Sequence, residues 1–176
     1  NPLTNYVLLK YFREERGIND VLSKKYLKEV WYENKGHKEL FAAGWENDNG
    51  GYELRSSLFK GVTGQKDIST IQQPFATDQL YLFEGMTDFL SALMFKKSTS
   101  LNGTVIILNG ASLVKRIFPI VEGKKWEKIF TFFDNDEGGT RALNKLKENV
   151  SEQVHYPQNN FYKNHRDLNE YWVSQR

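Results

Sequence analysis

The sequence predicts an α/β fold: a parallel sheet with helices on both faces, preceded by a small α+β subdomain. Three observations predict it. From Gln79 onward, short runs such as QLYLF, TVIIL and KIFTFF alternate with helical patterns. Those runs are apolar almost throughout, as strands buried on both faces are. Before residue 77 the texture differs: two helical patterns are followed by short β-like pieces broken by glycine pairs. The expected division is therefore 1–76 and 77–176.

The elements follow in order. Residues 3–16 place Leu3, Tyr6, Val7, Leu9 and Phe12 in a helical pattern, and Gly17 stands where helix ends favour glycine. Asn19 or Asp20 can cap a second helix. In it Val21, Leu22, Tyr26, Leu27, Val30 and Trp31 recur at helical spacing, and Gly36 closes it. From Leu40, the pieces FAAGWEND, GGYELRSSLFKG and VTGQKDIST read as short strands. Pro74 opens the connection to the second part. There 79–83, 104–108, 128–133 and 153–156 are expected strands. The expected helices are 87–95, 112–120 (disturbed by Pro119), 140–149 and 167–173. The four tryptophans, Trp31, Trp45, Trp126 and Trp172, read as core or half-buried.

Composition narrows the function. The 176 residues amount to one ordinary domain, or one with a small appendage. An apolar fraction of 39% and a net charge of +2 exclude wholesale disorder and a uniformly basic coat. Any nucleic-acid binding must come from a local patch. The chain has no cysteine, which excludes disulfides, cysteine nucleophiles and Cys-type zinc sites, and fits a reducing, cytoplasmic compartment. No apolar run is long enough to span a bilayer and no signal-peptide pattern opens the chain, so no membrane partner is expected. The first residue is Asn1, so the chain is expected to be a piece of a longer protein.

The informative residues follow the strands. Glu84 and Gly85 follow the first, with Asp88 one helical turn on. Asn109 and Gly110 follow the second. Asp134, Asn135, Asp136, Glu137, Gly138 and Gly139 follow the third, and Asp167 comes after the fourth. Carboxylates gathered at one sheet edge raise each other's pKa, and a divalent cation removes that penalty. Hard oxygen ligands without Cys or a partnering His favour Mg²⁺ or Mn²⁺. Residues i and i+2 at a strand end point the same way, so Asp134 and Asp136 can share one ion. Gly138 and Gly139 allow a tight turn and leave helix amides open to a phosphate. Each residue alone also has a plain reading. Asp167 and Asp136 suit helix caps, Asp88 a helix first turn, and Glu84-Gly85 a turn. The ordered set on the right elements is what favours a site. His37, His155 and His165 show no ligand spacing, although His165 lies two residues before Asp167.

The segments LYLFEGMTDFLSAL, ILNGAS, FTFFDNDEGGTRALNKL and HRDLNEYW resemble the successive motifs of a Toprim domain. The resemblance is to the type found in bacterial DNA primases and in primase-like proteins of plasmids and conjugative elements. It covers about residues 78–173 and extends more loosely into 1–76. It implies a Toprim-like, Rossmann-like sheet and a metal-dependent nucleotidyltransferase. Such an enzyme makes RNA primers on single-stranded DNA for replication or transfer of a mobile element. By the same resemblance, Glu84, Asp134 and Asp136 are the catalytic residues, and Glu84, Asp88, Asp134, Asp136 and Asp167 the metal set for Mg²⁺ or Mn²⁺. The second acidic position of the last motif falls on Asn169, which would hold a second metal more weakly. Glu137 stands where primases tend to place a basic residue. Lys66 falls where primases place a groove lysine, with Arg55 and Lys60 aligning less closely; these three are the expected nucleic-acid and nucleotide contacts. Tyr52 and Phe59 suit either base stacking or core packing. The implied partners are a single-stranded DNA template, ribonucleoside triphosphates and a replicative helicase. Two alternatives stay open: a Toprim nuclease, and a non-catalytic DNA-binding module of a mobile element.

Overall fold

The computed structural model describes every residue except 34, 35, 37, 38, 75, 76 and 153. His37, the first residue of the expected strand 153–156 and the last residue of the expected subdomain 1–76 thus lie outside the described residues. The chain divides into two compact units, Asn1–Lys66 and Asp67–Arg176.

The first unit holds α1 (Tyr6–Glu14) and α2 (Asp20–Tyr26). An antiparallel sheet follows, of β1 (Lys28–Glu33), β2 (Glu39–Glu46), β3 (Tyr52–Arg55) and β4 (Lys60–Thr63), in that order. The Asn5 side chain caps α1 by accepting from the Val7 and Leu8 amides, and Gly17 turns the chain at φ +69° just past its end. Asn19 caps α2 through the Leu22 amide. The expected second helix does not reach Trp31. It stops at Tyr26, and Lys28–Glu33 is a strand whose Trp31 lies opposite Phe41 of β2. The run Val30-Trp31-Tyr32 is β-branched and aromatic, and cross-strand pairing overrides its helical spacing. The same change leaves Trp31 47% exposed, whereas Trp126 is buried and Trp45 and Trp172 are half-buried as expected.

The second unit is the α/β part. Its sheet runs β5 (Ser69–Ile71), β7 (Thr104–Ile107), β6 (Gln79–Phe83), β8 (Lys128–Phe132), β9 (His155–Pro157). Strands β6 to β9 are parallel where they pair, and β5 is antiparallel to β7. The sheet is therefore mixed rather than wholly parallel, and the unit begins about ten residues earlier than expected. The segment before Pro74 is drawn in because Ile68 and Ser69 are buried there. Asn109, at φ +59°, also donates from its amide to Asp67 O (2.8 Å) and Ser69 Oγ (2.9 Å).

Alternation along the strands assigns the faces. Leu80, Leu82, Ile106, Leu108 and Ile129 pack with Ala142, Leu143 and Leu146 of α5 (Glu137–Lys147). They also meet Val114, Ile117 and Val121, from a 3₁₀ turn at Ala111–Ile117 and from α4 (Phe118–Glu122). Pro119 sits in the first turn of α4, where its missing N–H costs nothing, and this splits the expected helix 112–120. On the opposite face Phe83 stacks on Phe132 (4.5 Å) and meets Phe89 of α3 (Met86–Lys96) edge-on (5.5 Å). The last helix, α6 (Leu168–Ser174), packs on α3. Neighbouring strands β6 and β8 thus send their following helices to opposite faces. Ligands of open α/β sheets bind beyond the strand ends at such a switch point. No helix among the described residues is long and apolar enough to cross a membrane.

Candidate active site

The residues at this switch point are the ones the strand ends expose. Glu84 follows β6, and its Oε2 accepts the Asp134 backbone N–H across the gap to β8 (3.1 Å). Asp134 lies just past β8. Asp136 caps α5, accepting from the Gly139 amide (2.9 Å). Asp88 is buried in the first turn of α3, where its Oδ1 accepts from the backbone N–H of Asn169 (3.1 Å). Asp167 caps α6 through the Glu170 amide (2.7 Å). The structure brings these five carboxylates to one edge, and Asp136 and Asp167 also act as the caps their plain readings allow.

Their charges are coupled. Burial, then Glu84, Asp167 and Asp136, push the Asp134 carboxyl up to about 7, with Arg166 acting weakly against them. Burial pushes Asp88 well above the usual carboxylate range; Asp167, Asp134 and Glu84 add to this, and the Asn169 amide opposes it. Tyr162 is buried beside them, its hydroxyl donating to Phe133 O (2.9 Å). Burial and then the same four carboxylates, Asp88, Asp134, Asp167 and Glu84, raise its phenol. Burial combined with like charge in a crevice is how functional sites shift titrations. Among the described residues, no three acidic or histidine side chains close to metal-coordinating distance.

Two residues of the site were not anticipated. Arg166 reaches both members of the Asp-x-Asp pair, with Nη2 3.4 Å from Asp136 Oδ2 and Nε 3.6 Å from Asp134 Oδ2. One cation therefore already spans the two carboxylates. Asn135, between them, points the other way. Its Nδ2 lies within bonding distance of the carbonyls of Asn159 (3.3 Å), Tyr162 (3.0 Å) and His165 (3.0 Å), and its N–H donates to Arg166 O (2.6 Å). It pins the segment carrying Arg166 and Asp167. The only sequence signal for Arg166 is its place next to Asp167, and Asn135 has none beyond its position between two aspartates.

Other expectations are placed differently. The Gly139 amide is taken by Asp136 and is not open to a phosphate; glycine is needed there because a Cβ would fall 2.1 Å from Asp134 O. Asn169 is 2% exposed and donates from Nδ2 to Ser91 Oγ (2.9 Å), fastening α6 to α3. Glu137 is exposed and pairs with Arg141 (3.1 Å). In the first unit, Lys60 and Lys66 are exposed, while half-buried Arg55 donates from Nε to the Tyr11 hydroxyl (3.0 Å). Phe59 is 41% exposed and stacks on Tyr32 (5.5 Å), and Tyr52 is half-buried. His155 is buried against Thr131 (3.1 Å), and the His165 ring meets Tyr171.

Residues 81–172 match the sequence profile of the family described as Toprim-like. The chain belongs to the Toprim-like family. Its residues 1–64 match a Domain of unknown function (DUF8464). The Toprim-like chain is similar in fold to the primase fragment of the bacteriophage T7 primase-helicase protein. They share 19% identity at a TM-score of 0.66, over 92% of this chain and 68% of that one. A second similar structure is bacteriophage T7 lagging-strand DNA polymerase interacting with primase domains of two gp4 subunits bound to an RNA/DNA hybrid and dTTP. There the identity is 18% and the TM-score 0.55, over 81% of this chain and 76% of that one. No curated protein matches the chain. At these identities the likeness is one of fold.

Proposed function

We propose that this Toprim-like chain is the nucleotidyl-transfer core of a primase-like protein of a plasmid or conjugative element, joining ribonucleotides on a single-stranded DNA template. The observation that carries the reading is the Asp134–Asp136 pair, already bridged by one cation and facing Glu84 across the β6–β8 switch point. Family membership and the fold shared with the phage primase fragment support it. The donors are all carboxylate oxygens, and the guanidinium stands where a hard cation would; the residues therefore fit the divalent ion, Mg²⁺ or Mn²⁺, that the family implies. Bound there, such an ion supplies positive charge for a triphosphate and for the pyrophosphate that leaves. Asp134 and Asp136 would hold it, with Asp167 adding to the negative field and Asp88 buried beside them. In the joining step the primer 3′ oxygen bonds to the α-phosphorus, the bond to pyrophosphate breaks, and Glu84 Oε2 takes the hydroxyl proton. Lys66, Lys60 and Arg55 of the first unit contact phosphates of template or nucleotide. The partners are single-stranded DNA, ribonucleoside triphosphates and a replicative helicase.

The test is primer synthesis from ribonucleoside triphosphates on single-stranded DNA with Mn²⁺, run beside a nicking assay. The unaltered chain should yield oligoribonucleotides, and Glu84→Gln should lower the rate on the order of 10²–10⁴-fold. Strand cleavage without synthesis would assign the same carboxylates to a nuclease. Neither activity would leave a non-catalytic DNA-binding module.

A further inference from the structure

We propose that Arg166 is a built-in counter-ion of the Asp-x-Asp pair, displaced when a divalent ion binds and then free to hold the phosphates of the incoming nucleotide. This rests on the reading of Asp134 and Asp136 as metal ligands.

Three features of the geometry carry it. First, the guanidinium spans the pair through two different nitrogens, Nε and Nη2, at 3.6 and 3.4 Å. A planar fork can bridge two carboxylates in this way, where an ammonium is a point charge. Second, the contact is long and wet on the arginine side. The Arg166 side chain is 67% exposed, against 12% for Asp134 and 39% for Asp136. Ion pairs whose cation stands in solvent are weak. A divalent ion carries twice the charge and approaches oxygen to about 2.0–2.1 Å in the case of Mg²⁺, so it outcompetes the guanidinium. Third, the backbone of Arg166 is fixed on both sides. Its N–H donates to Glu170 Oε2 (2.5 Å), and its carbonyl accepts from the Asn135 N–H (2.6 Å). The neighbouring His165 carbonyl accepts from Asn135 Nδ2 (3.0 Å). Displacement is then a swing of the side chain from an anchored pivot, which keeps the charge at the rim of the site. A guanidinium so placed suits phosphate oxygens, which it binds through paired N–H donors.

Arg166 therefore makes opposite contributions to two binding events. It opposes the bare ion and assists the nucleotide that arrives with it. The experiment titrates Mn²⁺ alone into the unaltered chain, Arg166→Gln and Asp134→Asn, following free Mn²⁺ by electron paramagnetic resonance, and then titrates ATP at saturating Mn²⁺. Arg166→Gln should bind Mn²⁺ roughly three- to tenfold more tightly, the size expected for removing one or two exposed ion pairs. The same variant should bind ATP roughly tenfold more weakly through loss of a charge-assisted contact. Unchanged Mn²⁺ affinity in Arg166→Gln, with Asp134→Asn weakened, would overturn the counter-ion role and leave the metal reading standing. Unchanged Mn²⁺ affinity in Asp134→Asn would remove the metal reading, and the role of Arg166 with it. Tighter Mn²⁺ binding with unchanged ATP affinity would overturn the phosphate-holding half.

Discussion

The Asp134 carboxyl is pushed up to about 7, by burial first and then by Glu84, Asp167 and Asp136. Its ordinary value is 3.8, so the native state holds this proton more tightly than the unfolded chain does. Stability from this group is therefore greatest at low pH, falls as pH rises from about 4 to about 7, and stays at its lower level above that. Asp134→Asn cannot ionise. Without metal, it should unfold at a higher temperature than the unaltered chain at pH 8, by the equivalent of on the order of 2–4 kcal/mol, and the gap should close near pH 4. Thermal melts of both proteins across that range check the sign; a gap independent of pH would mean that Asp134 is not the group that titrates. The gathering of Glu84, Asp88, Asp134, Asp136 and Asp167 at one sheet edge was legible because strand ends and first helical turns can be read from apolar runs. Arg166 was not, because its pairing with Asp136 crosses 30 residues of chain. Asn135 was hidden because its work is done on backbone carbonyls, which leave no mark in a sequence.

The turn from β8 into α5 fixes how close two stretches of backbone come. A Cβ at Gly139 would lie 2.1 Å from Asp134 O and 2.8 Å from Asp134 N, and backbone cannot step aside as a side chain can. At Gly138 the nearest atom would be Asp136 Oδ1 at 3.2 Å, the tip of a side chain. Gly139→Ala should therefore lose about 1–3 kcal/mol or more and shift the Asp-x-Asp pair, whereas Gly138→Ala should stay within about 1 kcal/mol. Urea unfolding of the two variants compares them; equal losses would show that α5 is free to move away from β8. Element types were legible where long apolar strands alternated with helices. They failed at β1, where Val30, Trp31 and Tyr32 satisfy helical spacing and strand preference together, and partner β2 decides. At β5 the strand type was legible in VTGQKDIST but its sheet was not, since Ser69–Ile71 joins the second unit only by pairing with β7.

At the scale of the whole molecule, Asp67–Arg176 carries the Toprim-like match and Asn1–Lys66 a domain of unknown function, and the carboxylate cluster lies entirely in Asp67–Arg176. Fold class was legible because a mostly parallel sheet, buried on both faces, writes itself as apolar runs. The boundary at Lys66–Asp67 was not, since the segment that follows it reads as another short β piece and is claimed by the second sheet through Asn109. On the function proposed above, the β6–β8 edge holds a divalent ion between Asp134 and Asp136. Anomalous diffraction from crystals grown with Mn²⁺ and a ribonucleoside triphosphate tests this most directly. The expected result is a peak with Asp134 or Asp136 oxygen at roughly 2.0–2.2 Å, and Arg166 turned away toward phosphate. Ordered Mn²⁺ elsewhere on the chain, with none at these two aspartates and Arg166 still bridging them, would contradict it.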